Sequence, residues 1–184
     1  MSPASAEESH ELGRSGVIRA KHFLWQILGS SIDLPFTAYD HSPKLTFVDS
    51  EAEAAARFTF DMGGILRKKN PTRVGATEAV EVLVEVKAWQ SGDGLLVEYR
   101  EFLRRAAIAS LQGRHHDSWF IFVAEVPFGT SYGSRLCNGD LLEECRKAWS
   151  SRVASVASDL KERVTLLIAT ESFRRLINRW GRDE

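Results

Sequence analysis

The chain has 184 residues, 43% hydrophobic and 27% charged, which suits a single globular domain (1–184) with a sizeable core. A formal net charge of −1 excludes a polyelectrolyte that holds nucleic acid by its overall charge, so any such contact must come from a local patch. No apolar run approaches the roughly 20 residues of a membrane span, and Met1-Ser2-Pro3-Ala4-Ser5-Ala6-Glu7-Glu8 has neither the basic nor the apolar part of a signal peptide.

Residues 1–12 are small and polar and are expected to fray or to extend the first helix. From Ser15, helical spacing of Val17, Ala20, Leu24, Ile27 and Leu28 predicts a helix stopped by Gly29. Ser30 to Pro43 reads as a loop with an embedded apolar piece, Leu34-Pro35-Phe36, and Lys44 to Val48 as a short strand. Glu51 to Ala56 is alanine-rich and reads as a turn of helix. Arg57 to Met62 is expected as one strand with Phe58, Phe60 and Met62 on a common face, ended or bent by Gly63-Gly64. Ile65 to Thr77 is expected as a loop or hairpin with an exposed basic tip.

The run Val80 to Trp89 alternates with period 2. Val80, Val82, Val84, Val86 and Ala88 share one face, and Glu81, Leu83, Glu85, Lys87 and Trp89 the other. After a turn at Ser91-Gly92-Asp93-Gly94, Leu95, Tyr99, Phe102, Leu103 and Ala106 predict an amphipathic helix to Leu111. Trp119 to Val126 is almost wholly apolar, as a central strand covered on both faces would be. Pro127 to Asn138 reads as an irregular loop, Asp140 to Ser158 as a helix, Val164 to Ala169 as a strand and Ser172 to Trp180 as a last helix. Strands interleaved with helices indicate an α/β sandwich, one sheet with helices on both faces.

If the strand carrying Asp61 neighbours Val80–Trp89, then Asp61, Glu85 and Lys87 converge on one patch suited to a divalent metal and a phosphate. Asp61, a spacer, then Glu85-Val86-Lys87 on an apolar strand, followed by an amphipathic helix and a buried strand, resembles the PD-(D/E)XK nuclease superfamily. The resemblance spans roughly Val17 to Ala169 and departs at Phe60, where the motif's proline would stand. It implies a restriction-endonuclease-like mixed β-sheet flanked by helices on both faces. It also implies a Mg²⁺- or Mn²⁺-dependent endonuclease acting on DNA, with RNA as a further possible substrate. Restriction, phage defence or repair would be its setting, as a cytoplasmic homodimer or part of a larger assembly. Asp61, Glu85 and the Val86 carbonyl would hold the metal, Lys87 would assist the attacking water, and Glu11 on the first helix would support the site. The alternative is a catalytically inactive module of the same fold that binds nucleic acid or a protein.

Arg67, Lys68, Lys69 and Arg73 are the expected phosphate-tracking residues. Tyr99 is expected to pack on the sheet, and Glu98, Glu101, Arg104 and Arg105 to pair along a solvated helix face. His115 and His116 precede a strand, where a turn or a phosphate contact would suit them, and His10 and His22 are expected at the surface. Gly129-Thr130-Ser131-Tyr132-Gly133 matches a nucleophile elbow, but that chemistry needs a downstream histidine and all 5 histidines precede Ser131. Cys137 and Cys145 have no companion ligands and are expected to be reduced thiols.

Overall fold

The computed structural model describes residues 6–40, 42–52, 56–69, 76–88, 94–125 and 140–169, without the side chains of 6–12, 69, 88, 114 and 140. Helix α1 (Ala6–Leu28) leads into strand β1 (Ile32–Thr37); β2 (Thr46–Asp49), β3 (Ala56–Thr59), β4 (Met62–Lys69) and β5 (Thr77–Ala88) follow. Helix α2 (Leu95–Ser110), strand β6 (Trp119–Glu125), helices α3 (Asp140–Lys147), α4 (Ser151–Ala154) and α5 (Ala157–Arg163), and strand β7 (Val164–Ala169) complete the order.

The main sheet has five strands in the order β1-β4-β5-β6-β7. The β1–β4 and β4–β5 pairs are antiparallel, and β5–β6 and β6–β7 are parallel. Parallel neighbours require crossover connections, supplied here by α2 and by the segment carrying α3, α4 and α5. The protein is therefore a mixed α/β fold. Residues β2 and β3 contribute form a separate two-stranded antiparallel sheet.

Each face of the main sheet carries its own core, as the alternation of β5 requires. Val80, Val82, Val84 and Val86 pack with Ile121 and Val123 of β6 against Val17, Ala20, Phe23 and Leu24 of α1. Leu83, Phe120, Phe122 and Ala124 face Tyr99, Phe102, Leu103 and Ala106 of α2 on the other side. Leu141, Leu142, Val153, Val156 and Leu160 extend that second core into α3–α5. Burying side chains of this size contributes roughly 1.5–3 kcal/mol each. Helix α1 ends where Gly29 turns to φ +55°, and α2 begins after Gly94 at φ +91°.

Several expected elements differ. Leu34-Pro35-Phe36 is part of strand β1, an edge strand whose register shifts between Asp33 and Phe36, where a proline is tolerated. The strand expected over Arg57–Met62 is two strands, β3 and the start of β4, and the chain changes sheet at Phe60-Asp61. Phe60 consequently packs in the α2-side core and Met62 in the α1-side core. Gly63-Gly64 does not end a strand but lies within β4. A Cβ on Gly64 would stand 1.9 Å from the Asp33 carbonyl oxygen, so glycine is what lets β1 approach. Of the two forms expected for Ile65–Thr77, loop or hairpin, the hairpin holds: Ile65–Lys69 is strand and pairs antiparallel with β5 from Lys69↔Thr77 onward. The helix expected from Asp140 to Ser158 is broken, because Ser150 caps a new start by accepting a hydrogen bond from the Val153 N–H. Of the helical turn expected over Glu51 to Ala56, Glu51 lies in a turn and Ala56 opens strand β3, while 53–55 lie outside the described residues. The expected loop 127–138, with Ser131 and Cys137, and the expected last helix 172–180 lie outside the described residues. Cys145 is a buried free thiol.

Candidate active site

The β4–β5 ladder runs from Lys69↔Thr77 to Met62↔Val84 and stops there. One step further, Asp61 stands across from Glu85, at the point where the chain passes from the small sheet into β4. The Asp61 main-chain carbonyl is held by the Ala38 N–H at 2.8 Å, which ties the end of β1 to this corner. The Asp61 carboxylate then reaches over the gap, and its Oδ2 accepts the Val86 N–H at 2.7 Å. In a strand the N–H and C=O of one residue point to the same side, so the Val86 carbonyl also faces the opening beyond β4. Asp61 and Glu85-Val86 thus bracket the fork between the two strands.

Glu85 and Lys87 share the α2 face of β5. Lys87 Nζ lies 2.9 Å from Glu85 Oε1 and 3.3 Å from Glu98 Oε2 of α2. The Arg105 Nη1 of α2 donates to the same Glu85 Oε1 at 3.4 Å. Glu85 is 3% exposed, and its other oxygen, Oε2, is buried without a hydrogen-bond partner among the described residues. A half-satisfied buried carboxylate is costly unless it is protonated or meets a cation.

Electrostatics follow from that burial. Desolvation, then the Asp61 charge, pushes the Glu85 carboxyl up to about 7, against Lys87 and Arg105, which favour its ionised form. Burial likewise raises Asp61, opposed by the Val86 N–H, Lys87 and Arg105. The two carboxyls titrate as a pair. Burial works against the Lys87 ammonium, but Glu85, Glu98 and Asp61 outweigh it and hold its pKa above the usual lysine value. The corner therefore carries a firmly cationic lysine beside two carboxyls that cannot both ionise cheaply. Tyr39 extends the site toward α1: burial and then Asp61 raise its phenol, and a Cβ on Gly13 of α1 would lie 2.6 Å from its hydroxyl.

Of the residues expected at the site, Asp61, Glu85, Val86 and Lys87 come together. Glu11 lies in α1, but its side chain is outside the described set. Arg67 and Lys68 stand toward the opposite end of β4, about 20 Å from Asp61 by strand rise. There Arg67 bonds the Ser30 carbonyl at 3.4 Å and the Lys68 ammonium lies 5.0 Å from the Trp119 ring centre. Lys69 has no described side chain and Arg73 is not described.

The solvated helix face expected on α2 is corrected. Glu101 and Arg105 do pair at 3.2 Å, yet Arg104 reaches Asp49 of β2 at 2.7 Å, Arg105 reaches Glu85 and Glu98 reaches Lys87. Glu98 and Arg105 are the site neighbours that sequence reasoning missed. Their signal was spacing: 98, 101 and 105 fall on one helical stripe. Tyr99 packs as expected, stacked on Phe102 and edge-on to Phe122. His115 is buried at the far end of β5, its Nδ1 2.5 Å from Glu81 Oε2, which also accepts from the Ser118 hydroxyl. This knot holds the loop before β6 and lies away from the fork. His22 is exposed, as expected.

No family model matches the chain, and no curated protein or solved structure resembles it at a significant level.

Proposed function

We propose that the chain is a metal-dependent endonuclease of restriction-endonuclease-like fold that hydrolyses phosphodiester bonds in DNA. The observation that carries this reading is the buried Glu85 carboxylate, with one oxygen unpartnered among the described residues, set across a strand fork from Asp61 and beside Lys87. Strand order, two parallel crossovers and α1 on the opposite face support the fold assignment.

Among the described residues no three His, Cys, Asp or Glu side chains gather as an all-protein metal cage. Mg²⁺ does not need one. It takes one or two carboxylates, keeps several waters and accepts substrate oxygens. Asp61, Glu85 and the Val86 carbonyl fit that donor set, and Glu85 Oε2, buried without a partner among the described residues, is the oxygen a bound cation would satisfy. When bound, Mg²⁺ or Mn²⁺ would supply charge stabilisation at the phosphate and lower the pKa of a bound water. Lys87 would hold the attacking water through its ammonium and oppose charge building on the phosphoryl oxygens. Its raised pKa keeps it an ammonium at neutral pH, an electrostatic partner and hydrogen-bond donor and not a free base. Glu98, bonded to Lys87 from the first turn of α2, would fix the direction of the ammonium.

The test is cleavage of supercoiled plasmid and linear duplex in Mg²⁺, in Mn²⁺ and in EDTA. The parent should nick or degrade DNA in either metal and not in EDTA. Glu85→Ala and Lys87→Ala should each lower the rate by about 100-fold or more, the scale of losing a charge-stabilising group, while each variant still unfolds in a single cooperative thermal transition. Equal cleavage by parent and variants would overturn the assignment, and DNA binding without cleavage in either metal would favour the inactive module.

A further inference from the structure

Among the described residues, three buried or half-buried arginine–carboxylate contacts join helices to sheets, and one of them is unlike the others. Arg19 of α1 grips Glu125 of β6 through two nitrogens, Nη2 at 2.8 Å and Nε at 3.1 Å. Arg104 of α2 meets Asp49 of β2 at 2.7 Å, and that carboxylate also accepts the Glu51 N–H. Both are close, well-used pairs that fasten one element to another. Arg105 makes only a single 3.4 Å contact to Glu85, beyond the usual range for an N–H···O bond, on an oxygen that Lys87 already occupies at 2.9 Å. Its Nε is held by Glu101 at 3.2 Å, a part-buried i,i+4 pair of the kind that contributes a few tenths of a kcal/mol. Both N–H groups on Nη2 have no hydrogen-bond partner among the described residues.

The guanidinium is nonetheless placed. Its carbon lies 5.8 Å from the centre of the Phe58 ring, and its side chain keeps 27% of its surface open. Phe58 sits in β3, immediately before the Phe60-Asp61 corner, so one wall of the fork orients the arginine that the other wall supplies. A planar group held by one aromatic face and one weak ion pair, with a free donor edge, is arranged to take a further oxyanion.

The geometry points to Arg105 as a phosphate-binding residue of the fork: with Lys87 on the other side of Glu85 Oε1, it would take the non-bridging oxygens of a backbone phosphodiester. The identity of the anion's carrier rests on the nuclease reading; the anion site itself does not. Arg104, one position away, would then be structural, and the two neighbouring arginines would separate by assay.

Two measurements test this. The first is titration of the metal-free protein with inorganic phosphate, followed by ³¹P line broadening, for parent, Arg105→Ala and Arg105→Lys. Parent should broaden the signal, Arg105→Ala should lose at least about five-fold of the effect, and Arg105→Lys should keep a part of it. The second is duplex affinity against salt with Ca²⁺ replacing Mg²⁺. Arg105→Ala should weaken binding about ten-fold and lower the slope of log K against log salt by about one, while Arg105→Lys restores the slope. Thermal midpoints near the parent's confirm that each variant is folded. Phosphate and DNA binding unchanged in Arg105→Ala would overturn the assignment, even if the parent cleaves DNA. Phosphate binding that depends on Arg105 in a parent that neither binds nor cuts DNA would uphold the anion site and overturn the nuclease reading instead. A parent blind to both phosphate and DNA would overturn both.

Discussion

Glu85 concentrates the physics of the site in one side chain. Its folded value of about 7 lies above the 4.5 of an ordinary glutamate, so between those values the folded protein keeps a proton that the unfolded chain has released. Stability of the metal-free protein must therefore fall as pH rises through that window, and the loss is complete above about pH 7. A shift of this size corresponds to about 3 kcal/mol at most. Urea unfolding in EDTA at pH 5 and pH 8 should show it. Glu85→Gln should flatten the difference and be the more stable protein at pH 8, because the amide carries no charge to desolvate. A variant that keeps the parent's pH slope would show that Glu85 is ionised in the fold throughout. Asp61→Asn should reduce the slope in part, since its charge is the second cause of the Glu85 shift. The individual carboxylates were legible in the sequence as a pattern on a strand face. The orphaned Oε2 was not, because it depends on where α2 sets Arg105 and Glu98.

At the scale of elements, local chemistry predicted well wherever one face of an element is uniform. Period 2 in β5, the apolar stripe of α2 and the unbroken apolar run of β6 each translate directly into burial. Prediction failed where a residue does something non-local. Pro35 suggested a loop, yet an edge strand at a register shift has room for it. Phe58, Phe60 and Met62 look like one face of one strand, but the chain crosses between sheets at Asp61 and sends Phe60 and Met62 to opposite cores. That crossing is what frees the edge of β5 at Val86. The glycines of β4 follow the same logic. A methyl on Gly64 would collide with the Asp33 carbonyl at 1.9 Å and with the Pro35 ring at 2.8 Å, both on β1. Backbone cannot yield as a side-chain tip would, so Gly64→Ala should cost about 3 kcal/mol by pushing β1 off β4. Urea midpoints measure this. Because Ala38, just after β1, holds the Asp61 carbonyl, the same variant should also blunt any metal response.

For the molecule as a whole, the fold places two carboxylates and a carbonyl at one corner through elements distant in sequence: β1 fixes Asp61, β5 carries Glu85 and Val86, and α2 closes the face. A ligand that binds only this assembled corner must stabilise the entire chain, by RT ln(1 + [L]/Kd), or about 2.7 kcal/mol at a hundred-fold excess over Kd. For a chain of this size that is a rise of roughly 5–10 °C in thermal midpoint. Mn²⁺ at pH 8 should produce such a rise in the parent, and Asp61→Asn or Glu85→Gln should abolish it. The pH dependence adds a second signature. Below about pH 7 the metal has to displace the Glu85 proton, so its apparent affinity should fall about ten-fold between pH 8 and pH 6. A scan of midpoint against Mn²⁺ concentration at both pH values separates this corner from adventitious surface carboxylates, whose ordinary values leave affinity flat over that range. Equal stabilisation of parent and Asp61→Asn, or a response independent of pH, would place the metal elsewhere and remove the main support for hydrolytic chemistry at the fork.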